Sequence, residues 1–224
     1  MGRSLPSTSS GIIREEKYRV NGQEWVVYAV GGSPAQAVQH GVLEIMPKRP
    51  ALVASGINYG ENVGLGTTIS GTVGAAMEAA SLGIPALAVS LEAAKEYHLS
   101  YSREIDFSTA AYFTAYFGRL LLAKKMPEDV HLLKVDVPSD ATPETPWVVT
   151  RVARQGYYEP LPPNRASWNV KGPLGYKEAA VLDGEDEDSD VVVLRKRRMI
   201  TVTPISLDMT SRVQLSDLDK RLRE

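Results

Sequence analysis

Short apolar runs separated by glycine-rich turns set the rhythm of this chain. Residues 51–54 and 86–89 are wholly apolar, the pattern of strands covered on both faces of a parallel sheet. Between them Val73, Ala76, Met77 and Ala80 recur at helical spacing, which predicts a helix starting near Gly71 and Thr72. Ser70 suits its N-cap, and Gly83 with Pro85 ends it. The first strand is expected to stop at Ser55-Gly56, and six glycines fall between Gly56 and Gly74. A strand, a glycine-rich loop, a helix and a parallel strand form a right-handed unit whose loop lies at the carboxyl edge of the sheet.

The same rhythms extend outward. Residues 18–20 and 25–30 flank Asn21-Gly22, a two-residue hairpin signal. Gly31 to Pro34 turns the chain into a helix over about 35–46. A long helix over 106–125 carries Phe107, Ala110, Thr114, Phe117 and Leu121 on one stripe, read as core. Strands are expected over 131–138, 147–154 and 199–205, irregular chain over 157–168, and a polar helix over 211–222. The Ser-rich residues 1–13 contain no predicted element. Together these predict an α/β fold: three layers, Rossmann-like, around a mainly parallel sheet. Its divisions are a core over 1–138, a projecting arm over 139–198, and a returning strand and helix over 199–224.

Composition narrows the function classes. With 224 residues and 43% hydrophobic content the chain can bury one sizeable core. A net charge of −2 gives no general attraction to nucleic acid or anionic membranes. Zero cysteines exclude disulfides and thiol catalysis. No apolar run reaches membrane-spanning length and no signal peptide is evident, so a cytoplasmic protein is expected.

The candidate chemistry sits in the glycine loop. Free amides, the positive helix end and the hydroxyls of Ser70 and Thr72 converge at Ser70-Gly71-Thr72, where an anion is well placed. Asn58 and Asn62 stand at the exit of the first strand, able to ligate a hard cation or donate to phosphate. Asn and Gly also simply make turns. No lysine follows the glycines, so this is not a nucleoside-triphosphatase loop. The dinucleotide spacing is also absent, although Glu92 lies where a ribose-binding acid is expected.

Ser55-Gly56-Ile57-Asn58-x-Gly60-x-Asn62-x-Gly64, then Ser70-Gly71-Thr72-Val73-x-Ala75-Ala76-Met77-Glu78, then Gly83-x-Pro85 through Leu91, resemble the central signature of the SurE family of 5′/3′-nucleotidases. Gly32-Ser33-Pro34-Ala35 and residues 201–205 extend the resemblance over most of the chain. It implies a metal-dependent phosphomonoesterase acting on nucleoside monophosphates, with Asn58 on a magnesium or manganese ion. It further implies Asn62, Ser70, Gly71 and Thr72 around the phosphate, and homodimers or homotetramers joined by C-terminal arms.

The family's adjacent aspartates and a serine ligand find no counterpart in this sequence. They would fall before Met1, so an N-terminally truncated relative with little or no activity of its own is expected. A lone asparagine carbonyl cannot replace a carboxylate pair around a dication. Leu65 and Gly66 also stand where the family often has acidic residues. A non-catalytic nucleotide- or phosphate-binding module, or an interaction subunit, is the alternative.

Other polar residues carry weaker signals. His98, in a polar segment after a strand, could protonate a leaving alcohol, whereas His40 reads as a structural or surface residue. Arg151, Arg154, Tyr157 and Tyr158 could reach a nucleotide or pack an arm. The acidic run over 183–190 and the basic run over 195–198 read as a solvated loop and an exposed strand end.

Overall fold

A computed structural model describes residues 2–98, 102, 104–181 and 184–224. The chain opens with a hairpin of β1 (Ile13–Val20) and β2 (Gln23–Val30), turning at Asn21 and Gly22, both with positive φ. Asn and Gly tolerate that conformation best, which is why the turn falls there. Ser33 then caps α1 (Pro34–His40) through a reciprocal capping box with Gln36, and a single π turn continues it over Gly41–Ile45.

The central sheet is built from β3 (Val53–Tyr59), β4 (Ala86–Leu91), β5 (Leu132–Val137), β6 (Trp147–Val149) and a returning strand, Ile200–Ile205. A separate ribbon pairs β7 (Tyr158–Leu161) with β8 (Gly175–Glu178), and the returning strand is therefore β9. The order is β3-β4-β5-β9-β6, parallel throughout except between β5 and β9. With α1 and α2 (Gly71–Ser81) on one face and α3 (Ser108–Ala123) on the other, the chain is a three-layer α/β fold. The short α4 (Asp190–Arg195) precedes β9, and α5 (Leu215–Arg223) ends the chain.

Strand alternation decides the layers. Leu87, Val89 and Leu91 of β4, Leu133, Val135 and Val137 of β5, and Ile200 and Val202 of β9 pack under Ala110, Phe113, Phe117 and Leu121 of α3. Ala86, Ala88 and Leu132 point the other way, against Val73, Ala76, Ala79 and Ala80 of α2. Small residues on both sides let α2 lie close to the sheet.

Several sequence expectations need correction. Strand β3 does not stop at Ser55-Gly56 but runs to Tyr59. Gly56 has φ +117°, and a Cβ there would strike the Val89 carbonyl, so only glycine permits the irregularity after which Asn58 pairs with Ser90. The strand expected over 147–154 is cut to Trp147–Val149, because the chain leaves the sheet to bring the Ala153 amide to Asp190. The stretch expected to be irregular contains β7; Pro160 is tolerated because a two-stranded ribbon is all edge.

The reading of 183–190 as a solvated loop fails at Asp190, which is fully buried as the first residue of α4. Nor is the basic run an exposed strand end. Arg198 binds Glu92 and Asp140, each at 2.6 Å, and Arg195 binds the Tyr157 hydroxyl at 2.6 Å and Glu178 at 2.8 Å. Those partners lie far away in sequence, so composition alone gave no hint of them. The N-terminal segment lies along α2, with Arg3 paired to the buried Glu78 and the Ser4 carbonyl accepting from Ser33.

Candidate functional site

Asn58 is the penultimate residue of β3, at the carboxyl edge of the sheet and facing the start of α2. Its Nδ2 donates to the Gly60 carbonyl at 2.7 Å, which turns its Oδ1 toward Thr72, whose hydroxyl donates to it at 3.3 Å. Ser70 caps α2 by accepting from the Val73 amide at 3.1 Å, leaving its own hydroxyl proton free to donate outward. The amides of Gly71 and Thr72 have no carbonyl one turn back, so they are the helix's open donors. Gly71 also lacks a side chain for a reason: a Cβ would come to 3.1 Å from Pro34 Cγ. The Ser33-Pro34 turn therefore forms one wall of this corner.

Asn62 is oriented differently from Asn58. Its side-chain amide donates to Ser90 Oγ at 2.7 Å, its backbone amide to Asp136 Oδ1 at 2.7 Å, and its carbonyl accepts from Thr67 at 2.9 Å. Asn62 thus knots the loop to β4 and β5 and keeps only its Oδ1 uncommitted by those bonds. Asn58, Ser70, Gly71 and Thr72 come together at one corner, with Asn62 one strand further in.

Beneath the knot lies an ionic cluster. Lys134 Nζ reaches Asp136 at 2.5 Å and Asp190 at 3.0 Å, and all three side chains are fully buried. Burial alone would favour neutral lysine, but the two carboxylates hold the ammonium above its ordinary pKa.

His98 sits over Gly60, where a Cβ would come within 2.7 Å of its Nε2. Its Nε2 donates to the Ala93 carbonyl at 2.9 Å and its Nδ1 pairs with the Tyr176 hydroxyl at 3.1 Å. Both ring nitrogens of His98 are thus engaged by protein atoms. Tyr158 from the arm meets His98 edge-on and donates to the buried Glu61 at 3.3 Å. Burial pushes the Glu61 carboxyl up and both neighbouring phenols, Tyr157 and Tyr158, up as well. Arg151 pairs with Asp188, not with the corner.

Glu92, considered for a ribose contact, is held by Arg198 and the Ser139 amide and hydroxyl. Burial would raise its carboxyl, but these donors bring it below the usual range.

The donor set does not fit a resident dication. Asn58 offers one neutral carbonyl, and among the described residues no group of three or more His, Cys, Asp or Glu could hold a metal. Asp136 and Asp190 are paired with Lys134, and Glu61 accepts from Tyr158 through Oε1 while its buried Oε2 meets no hydrogen-bond partner among the described residues.

Sequence reasoning missed Ser90, Lys134, Asp136 and Asp190. One signal existed: Lys134 and Asp136 are two apart, on one face of a strand whose other residues are apolar. Opposite charges there must pair in the interior.

The SurE family model, described as survival protein SurE, matches residues 2–159. A protein of Methanocella arvoryzae named 5′-nucleotidase SurE is 37% identical over 234 aligned positions, spanning 100% of this chain and 84% of that protein. Another so named, from Methanocaldococcus jannaschii, is 40% identical, spanning 83% of this chain and 69% of its own length. The crystal structure of the SurE protein from Aquifex aeolicus matches with a TM-score of 0.67 and 29% identity, covering 100% of this chain and 84% of that one. Signature, sheet order and family match agree: the chain belongs to the SurE family.

Proposed function

We propose that this chain is a nucleotidase-type phosphomonoesterase for nucleoside 5′- or 3′-monophosphates, and that its described residues form the phosphate half of the site. The observation that carries this is the meeting of Asn58 Oδ1 and the Thr72 hydroxyl, 3.3 Å apart, at the open end of α2 beyond the strand ends. The amides of Gly71 and Thr72 and the hydroxyl of Ser70 supply donors to phosphate oxygens, while the single Thr72 hydroxyl proton is given to Asn58 Oδ1. The helix dipole adds favourable potential there. Asn58 fixes the Thr72 side chain, and Pro34 limits the approach. The relatives' names support the nucleotidase class.

Magnesium or manganese, implied by the resemblance, would polarise a phosphoryl oxygen. With Asn58 as its only donor here, the chain by itself is expected to bind phosphate esters and turn them over little or not at all.

The test is a thermal shift of the 224-residue chain with inorganic phosphate and adenosine monophosphate, alongside phosphate release with and without manganese. Both ligands should raise the melting temperature, and Ser70→Ala should weaken binding about tenfold, the loss of one hydrogen bond to a charged group. No shift with either ligand overturns the phosphate site. Manganese-dependent, chelator-sensitive phosphate release overturns the inactivity of the chain. Binding without turnover by the chain is the expected outcome.

Self-association is proposed as well. The β1–β2 hairpin leaves Tyr18, Trp25, Val26 and Tyr28 exposed, and a lone hairpin is marginal in water. Light scattering should give a dimer or tetramer mass; a monomer mass removes the proposal.

A further inference from the structure

The cluster of Lys134, Asp136 and Asp190 stands outside the anion corner but touches the loop that leads to it. One ammonium faces two carboxylates, which leaves one negative charge in the interior. Backbone amides answer it. Asn62 N donates to Asp136 Oδ1 at 2.7 Å, Gly64 N to both Asp190 oxygens at 3.1 and 3.2 Å, and Ala153 N to Asp190 Oδ1 at 2.9 Å. Two of these three amides belong to the glycine loop.

Stability is a poor reason for such a cluster. Apolar residues of similar volume in place of buried ion groups are often neutral or stabilising. Val63, fully buried between the two anchored amides, already supplies apolar attachment against Ala153, Tyr157, Val191 and Leu194. Apolar contact is not directional, however, and leaves the loop backbone free to rotate about it. Charge-assisted hydrogen bonds to Asn62 N and Gly64 N fix that rotation.

We infer that Lys134, Asp136 and Asp190 are positioning residues that lock the backbone of Asn62 and Gly64 and, through it, the anion corner. The relay is continuous. Asp136 holds Asn62, the Asn62 side chain holds Ser90 at 2.7 Å, Ser90 pairs in the ladder with Asn58, and Asn58 meets Thr72. Its functional half rests on the phosphate reading above; its structural half does not.

Asp136→Leu removes the acceptor for Asn62 N and leaves Lys134 paired one-to-one with Asp190. Asp136→Asn keeps an acceptor, and Leu133→Ala on the opposite face of β5 serves as a control that destabilises without touching the loop. Amide hydrogen exchange read by NMR and the affinity for adenosine monophosphate are measured for each. D136L should speed exchange at Asn62 by about 100-fold and weaken binding about tenfold, while D136N stays within about threefold of wild type in both. L133A should lower the melting temperature without a selective change at Asn62.

Wild-type exchange at Asn62 in D136L, failure of D136N to restore it, or an equal effect from L133A overturns the inference. Lost protection with unchanged affinity overturns the coupling to the corner. Should wild type bind no adenosine monophosphate, the phosphate reading falls and exchange alone decides the anchoring. If D136L does not fold, Ser90→Ala cuts the relay without altering charge: a several-fold loss of affinity with Asn62 protection kept supports it, and wild-type affinity ends it.

Discussion

The two faces of the central sheet use alternate residues of the same strands for different ends. Under α3, β4, β5 and β9 present only aliphatic side chains, which meet a stripe of Phe113, Phe117 and Leu121. On the opposite face, beyond Ala86, Ala88 and Leu132, those strands present Ser90, Lys134, Asp136, Thr201 and Thr203, all buried. One face is held by non-directional burial and tolerates exchange among residues of similar volume. The other is held by directional bonds, where each donor has one place to go and the loop backbone is part of the network. The lesson is that the fold and the candidate site hang from the same strands but fail in different ways.

Breaking each face separately tests that contrast. Lys134→Met should be the most damaging change. It leaves two buried carboxylates without their cation, a loss of about 3–5 kcal/mol in urea unfolding, with the Asn62–Gly64 loop released. A cost below about 1 kcal/mol would place the contrast in error. Leu133→Ala, one residue away on the aliphatic face, should cost about 2–4 kcal/mol through its cavity. Phosphate protection should persist in that variant.

The smallest effect is a gain. Burial raises the Glu61 carboxyl, so its protonated form is favoured in the fold. The stability this group contributes is full below the ordinary carboxylate range and is lost as pH rises through its folded value. Glu61→Gln should therefore raise the melting temperature at pH 7 by roughly 1–3 °C. The difference should vanish below about pH 3.5, where both states of wild type are largely protonated. A gain that persists unchanged at acid pH would show that ionisation is not its cause.

Most of the element pattern was legible along the chain. The apolar run 86–89, the spacing of Val73, Ala76 and Ala80, and Asn21-Gly22 gave β4, α2 and the hairpin, because each depends on local periodicity or local φ preference. Ser70, Gly71 and Thr72 were equally legible as the start of a helix. The buried cluster was not. Asp190 closes an acidic run that looks solvated, and only contact with Lys134, 56 residues away, makes its burial tolerable. The Arg198 pairing with Glu92 spans 106 residues and was hidden for the same reason.

Periodicity and turn chemistry, being properties of neighbours in sequence, determined by themselves β4, α2, the β1–β2 hairpin and the helix start at Ser70. The tertiary structure alone decided that Asn58 faces Thr72, that Asn62 is tied to Ser90, and that His98 is held between Ala93 and Tyr176. Those outcomes depend on which distant donor lies within about 3 Å of which acceptor, a distance that only the folded chain sets.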